Sequence, residues 1–119
     1  MKSYAKIALT SAIIFGAAVL VSNMQSTIPA RMLFPLYIAP GTNGVNWNPV
    51  ISANTFQNID VILNPYNGPG SAKQTNYVNG IARLKAANVG VYGYVHSTYG
   101  DRSIVDVKAD VDKWVSWYG

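Results

Sequence analysis

The chain has no cysteine and no glutamate, and it has a single histidine, His96. Without cysteine, disulfides and thiolate metal sites are excluded, and nothing follows about redox compartment. His96 has no Cys, Glu or second His near it in sequence, so no metal site is expected. All five acidic residues are aspartates: Asp60, Asp101, Asp106, Asp110 and Asp112. Charge is scarce at 12% of residues against 50% apolar, a globular composition rather than a disordered one. The formal net charge is +4, but Lys2 and Lys6 lie at the extreme N-terminus. Beyond residue 26, seven basic residues stand against five acidic ones, a net of +2. The basic residues are scattered singly, without a run or an arginine stripe, so no nucleic-acid partner is expected. Gly68-Pro69-Gly70 lacks the spacing and the lysine of a phosphate loop, and its proline removes an amide donor. No cofactor is expected, and nothing resembles a Ser-His-Asp constellation.

What is present begins with an apolar N-terminus. Lys2 and Lys6 precede Ile7 to Val21, a mostly apolar run of fifteen residues. A basic start followed by an apolar stretch of this length reads as a secretory signal. The run is shorter than the ~20 residues of a comfortable membrane span. Met24-Gln25-Ser26 ends in a small residue suited to cleavage, and an uncleaved membrane anchor is the alternative. Residues 1–26 are therefore set apart as signal peptide or anchor, and residues 27–119 as the folded domain. The expected location is secreted or cell surface, with membrane contact only through an uncleaved N-terminal segment.

The remaining chain alternates strand and helix. Leu33 to Ala39 is an apolar run in which Pro35 points to an early strand position or an edge, and Pro40-Gly41 closes it. Residues 42–49 read as a polar loop carrying Trp47, and Val50 to Asn58 as a short returning helix. Asp60 opens a second strand, Val61 to Leu63, whose β-branched run suits a parallel strand covered on both faces. Ser71 is a candidate N-cap for a helix over 72–87, with Tyr77, Ile81 and Leu84 at helical spacing and Asn88 as a left-handed stop. Val89 to Val95 is the third strand. Ser103 followed by Asp106 resembles a capping box for a helix whose inner face is Ile104, Val107, Val111, Trp114 and Tyr118. Lys108 and Asp112 form an i,i+4 pair there. Strand, helix, strand, helix, strand, helix predicts a parallel α/β sheet with right-handed crossovers. Three such units are a partial (β/α)₈ barrel, since a whole one takes about 250 residues. Such a layer leaves two open edges and one uncovered face, which favour self-association.

Two strands run directly into polar, aromatic loops: Val61-Ile62-Leu63 into Asn64-Pro65-Tyr66-Asn67, and Val89 to Val95 into His96-Ser97-Thr98-Tyr99. In α/β folds, ligand sites are built at these C-terminal strand ends. Asn64 can face a sugar hydroxyl or organise the turn into Pro65. Tyr37, Tyr66, Tyr94 and Tyr99 are candidate sugar platforms, each offering an apolar ring face and a hydroxyl. Core packing competes for Tyr37 and Tyr94, which lie within strands. His96 can hydrogen-bond a substrate or serve the structure. Asp101 is the one acid in such a loop, and with Arg102 beside it a turn or a salt bridge is the default role. Asp60 belongs to the opposite, stability end, and Asp106, Asp110 and Asp112 lie on the last helix, outside the barrel. Trp114 and Trp117 read as helix-to-sheet packing, and Trp47 either packs under its loop or lines the groove.

Leu36-Tyr37 with Pro40-Gly41, Trp47, Asn64-Pro65 with Gly68-Pro69-Gly70, Gly93-Tyr94-Val95 with Thr98-Tyr99-Gly100, and Trp117-Tyr118 occur in this order. The series resembles the spherulin-4 (spherulation-specific family 4) proteins from about Leu33 to Tyr118. The resemblance implies a secreted or surface-attached TIM-barrel glycoside hydrolase acting on amino-sugar polysaccharide through internal α-linked N-acetylgalactosamine bonds. In that family the strand after the Trp-Tyr helix carries an Asp-Glu pair, with a further Glu later. Neither has a matching position here, and glycoside hydrolysis usually needs two carboxylates flanking the bond. The expectation is therefore the N-terminal part of such an enzyme, inactive alone. It has substrate-binding positions Tyr37, Asn64, His96 and Tyr99, no catalytic residue, and a polysaccharide or oligosaccharide as partner. The alternative is a non-catalytic cell-surface protein that binds carbohydrate or has a structural role.

Overall fold

A computed structural model describes residues 30–119. The signal or anchor expected over 1–26 lies outside them. The described chain forms strand β1 (Met32–Leu36), a 3-10 turn (Thr42–Trp47), helix α1 (Asn48–Ala53) and strand β2 (Ile59–Leu63). Helix α2 (Thr75–Ala86), strand β3 (Gly90–Gly93), a second 3-10 turn (Thr98–Gly100) and helix α3 (Ile104–Tyr118) follow. The strands form one parallel sheet in the order β1-β2-β3, the arrangement of three βα units of a (β/α) barrel.

One face of the sheet carries the core. Ile59, Val61 and Leu63 alternate along β2 and are buried against Ile81 and Leu84 of α2, with Leu36, Trp47, Tyr77, Val89 and Tyr118 completing the cluster. Trp47 is fully buried, meets Tyr77 edge-on at 5.5 Å, and donates its Nε1 proton to the Ile38 carbonyl at 2.8 Å. Its place is therefore under the loop, not in a groove. Burial pushes the Tyr77 phenol above its usual pKa, with smaller contributions from Tyr66 and Tyr118. The opposite face is open: Leu33 is 58% exposed and Tyr92 56%. The both-faces coverage read from the apolar run of β2 thus holds for one face only.

The 3-10 turn replaces the polar loop expected over 42–49. Asn43 and Gly44 take left-handed conformations, which periodicity does not report. The turn is shaped for a close crossing with α2. A Cβ on Gly44 would lie 2.5 Å from the Gly80 Cα, and one on Gly80 would lie 2.6 Å from the Trp47 ring. Pro49 sits in the first turn of α1, where its missing N–H costs nothing. That helix ends at Ala53, earlier than the sequence reading, because Asn54 has another task. Its amide nitrogen donates to the Ala87 carbonyl at 2.8 Å and its amide oxygen accepts from the Ile59 N–H at 2.7 Å. One side chain thereby ties the ends of α1 and α2 to the start of β2.

Other boundaries follow local chemistry. Ser71 does not cap α2. The helix starts at Thr75, and the Gln74 N–H donates to the Tyr118 hydroxyl at 3.3 Å instead of to a local cap. Asn88 is left-handed at φ 58, as expected of a helix stop. Ser103 caps α3 by accepting the Val105 N–H at 3.2 Å. The inner face of α3 differs from the expected one. Ile104 and Val111 are exposed, while Asp110 and Tyr118 are buried and Trp114 and Trp117 partly so. The ion pairs among the described residues do not include Lys108 with Asp112.

The two sheet edges differ. The Met32 N–H donates to Asn58, which turns Met32, Phe34 and Leu36 toward β2 and leaves Leu33 and Pro35 facing outward. Pro35 has no N–H, so Leu33 supplies the single outward donor within β1. The Tyr94 N–H donates to Leu63, so Val91 and Gly93 face outward from β3, each with an N–H.

Candidate functional site at the C-terminal strand ends

Parallel strands gather whatever follows them at one end of the sheet. Tyr37 follows β1 directly and Asn64 follows β2 directly. His96 lies just beyond β3, and Tyr99 sits in the 3-10 turn after it. All four expected positions therefore share one end, here called the mouth. Tyr99 is fully exposed and its backbone is left-handed at φ 55. Tyr37 is also exposed, so the core packing weighed against it does not occur. Asn64 organises its loop: its amide oxygen accepts the Gly68 N–H at 3.0 Å. The Tyr94 hydroxyl lies 3.4 Å from His96 Nδ1. Among the described residues, no hydrogen bond joins Tyr37, Asn64 and Tyr99 to one another.

Helix α3 holds the end of β3 in place. Trp114 packs on Gly93, where a Cβ would lie 2.4 Å from the indole, and its Nε1 donates to the Tyr94 carbonyl at 2.8 Å. Arg102 donates through Nη1 to the His96 carbonyl at 2.8 Å and pairs through Nη2 with Asp110 Oδ2 at 2.7 Å. Lys113 Nζ pairs with the other oxygen of Asp110 at 3.1 Å. The carbonyls of the contacting pair Tyr94 and His96 are thus each fixed by a side chain from α3 or the loop before it. Asp110 is 8% exposed. Burial alone would raise its pKa, but the hydrogen bonds from Arg102 and Lys113 outweigh it and hold the carboxyl below the usual range.

Of the two roles open to Asp101 it takes the turn, its N–H donating to the Thr98 carbonyl at 3.1 Å, while Arg102 pairs with Asp110. The adjacent acid stays exposed and the guanidinium reaches two turns along the helix. A charged residue in phase with Val107 and Trp114 was the available signal for Asp110.

The remaining acids are distributed as follows. Asp60 lies at the opposite end of the sheet with Arg31, whose Nη2 donates to Oδ1 at 2.7 Å. The Arg31 hydrogen bond is the largest influence on that carboxyl and keeps it below its usual pKa. Asp106 and Asp112 are exposed on α3, and Asp101 is exposed beside the mouth. Among the described residues, no two carboxylates face one another across the mouth. Among the described residues, no group of three or more His, Asp or Glu side chains is placed to hold a metal ion. No helix there is long and apolar enough to cross a membrane.

The described residues are thus a partial (β/α) barrel whose strand ends form a mouth lined by aromatic and polar groups. The chain belongs to spherulation-specific family 4, whose family model matches residues 31–119. It is 40% identical over 95 residues to Spherulin-4 of Physarum polycephalum, a match covering 78% of this chain and 28% of that one. Among solved structures it is similar to Aspergillus clavatus Sph3 in complex with GalNAc, with a TM-score of 0.65 and 31% identity. That match covers 75% of this chain and 37% of Sph3. The chain therefore spans well under half the length of either relative.

Proposed function

We propose that this chain supplies the first three βα units of a spherulin-4-like carbohydrate-active module. Its mouth binds amino-sugar polysaccharide through Tyr37, His96 and Tyr99, with Asn64 shaping the loop between them. The observation that carries this reading is the gathering of these groups at one end of a parallel sheet, together with the similarity to Sph3 in complex with GalNAc. Exposed tyrosines suit the task, because a pyranose presents an apolar C–H face to a ring and hydroxyls to its rim. Hydrolysis of the polymer needs a second carboxylate opposite the first, and the five aspartates here are not arranged that way. We propose that cleavage depends on acids that this chain does not carry. The basic, apolar N-terminus supports export to the cell surface or the medium.

A second reading, a non-catalytic carbohydrate-binding surface protein, draws on the same placement of the aspartates. One experiment separates the two. The chain alone, and the chain joined to the acid-bearing strands of a relative, are incubated with an α-linked N-acetylgalactosamine polymer, and new reducing ends are counted. Cleavage only by the joined form supports the hydrolase reading, and binding without cleavage by both supports the second. Tyr99→Ala is expected to weaken oligosaccharide binding about tenfold while leaving stability within about 0.5 kcal/mol, because the ring makes no buried contact. Unchanged affinity, measured by calorimetry beside a melting curve, removes Tyr99 from the site.

A further inference from the structure

We propose that the open edge of β3 and the outer flank of helix α3 form a self-complementary surface, on which a second copy of this chain docks antiparallel. The inference does not depend on what the mouth binds. Ile104, Val111 and Val115 recur at helical spacing and so share one flank of α3. They are 73%, 46% and 66% exposed, while Asp110 and Tyr118 on the adjoining face are buried. Trp114 rests on Gly93, which seats the helix above β3. A depression lined by Val91, Gly93, Trp114 and Val115 runs from the strand edge to the flank. Edge and flank are therefore one continuous surface, and among the described residues no element packs on it.

Three features select a second copy as the occupant. The first is charge. Lys108 and Asp112 border the apolar stripe one turn apart and are both exposed, and the ion pairs among the described residues include neither. Two copies of α3 laid antiparallel bring Lys108 of each alongside Asp112 of the other, a reciprocity that any two-fold axis imposes. A parallel copy in register would set like charges together. The second feature is the backbone. Val91 and Gly93 turn their N–H and C=O groups outward. In an antiparallel pair, Val91 of one copy meets Gly93 of the other, twice, and each outward donor finds an acceptor. The third is side-chain size. Valines at 111 and 115 let two helices approach at the close end of the ~8–10 Å interaxial range, as neighbours on one side of a joined sheet must. A pair built this way carries two mouths that face opposite directions.

The test uses the full chain, with sedimentation equilibrium reporting mass and circular dichroism the fold. Lys108→Asp makes the border of the flank acidic and Asp112→Lys makes it basic. Each variant alone is expected to dimerise about tenfold more weakly than the unsubstituted chain. Mixed in equal amounts, the two are expected to regain affinity as a heterodimer, which a folding defect in either would not produce. The chain has no cysteine, so a single introduced thiol reports its own position. Val111→Cys is expected to link two copies through a short bis-maleimide, and Ser116→Cys, on another face of α3, is not. Joining the chain to the following βα unit of a relative is expected to abolish the dimer, because that unit takes the β3 edge. Association unchanged in both charge variants, a mixture that does not regain affinity, or equal linking of Ser116→Cys and Val111→Cys overturns the proposal and points to another surface, the apolar N-terminus included. A chain that stays monomeric at every concentration, or a joined form that pairs as well as the short one, overturns it too.

Discussion

Asp110 is the position where structure and energetics meet most directly. Its carboxylate is nearly buried and pairs with Arg102 at 2.7 Å and Lys113 at 3.1 Å. Removing one partner from a fully buried pair costs about 3–5 kcal/mol, because the charge left behind is desolvated. Exposed pairs are worth about 0–1 kcal/mol. The cations here retain 25% and 39% side-chain exposure, so water reaches them when the acid is lost. Asp110→Asn should therefore cost about 2 kcal/mol, between those limits. For a domain of this size that lowers the melting temperature by about 10 °C. The pH dependence supplies a sharper criterion. The folded-state pKa of Asp110 is lowered, so its stabilisation is fully present above the unfolded-state pKa of about 3.9. It is lost as pH falls through the folded-state value. The difference between wild type and Asp110→Asn should stay constant from neutral pH down to about pH 5 and shrink below pH 4. Asp60 titrates with the same sign, but it is present in both proteins and cancels from the difference. Urea unfolding followed by tryptophan fluorescence measures this directly. Equal midpoints at pH 7, or a difference that persists undiminished at pH 2, would refute the reasoning.

Two further substitutions test the packing. Gly44→Ala forces a side chain into a left-handed residue and against the Gly80 backbone, so it should destabilise by about 2–4 kcal/mol, read from a thermal melt. A melt unchanged from wild type would mean the turn does not approach α2 so closely. Asn54→Ala leaves the Ile59 N–H and the Ala87 carbonyl without their partner and should cost about 1–3 kcal/mol. Hydrogen exchange at the Ile59 amide should quicken with it, and unaltered protection there would mean that another group satisfies that N–H.

The regular elements were the legible part of the sequence. Tyr77, Ile81 and Leu84 mark α2 because a helix repeats its inner face every three to four residues. Asn88 marks its end because asparagine tolerates a left-handed backbone. The common end of Tyr37, Asn64, His96 and Tyr99 follows from strand direction alone, so it too could be read. The parts that escaped are set by partners distant in sequence. Ser71 has the chemistry of a cap, yet the tyrosine hydroxyl of residue 118 serves the start of α2. Periodicity gave α3 an inner face of Ile104 and Val111, but Asp110 displaces them, since a paired carboxylate can be buried. The pairing of Arg102 with Asp110 in place of Asp101 is likewise a tertiary decision. The left-handed residues Asn43 and Gly44 carry no hydrophobic signature at all.

Pro35 has a consequence for assembly. An open-ended fibre grows when one edge of a sheet docks repeatedly on the other edge of the next copy, a heterologous contact that never closes. Growth of that kind must pass through β1 at every junction, and there the proline has deleted a backbone donor. Pairing of β3 with the β3 of a second copy has no such defect, and it leaves only the two proline-bearing β1 edges outermost. One imino acid thus biases any edge association of this sheet toward pairs that terminate and against filaments that propagate.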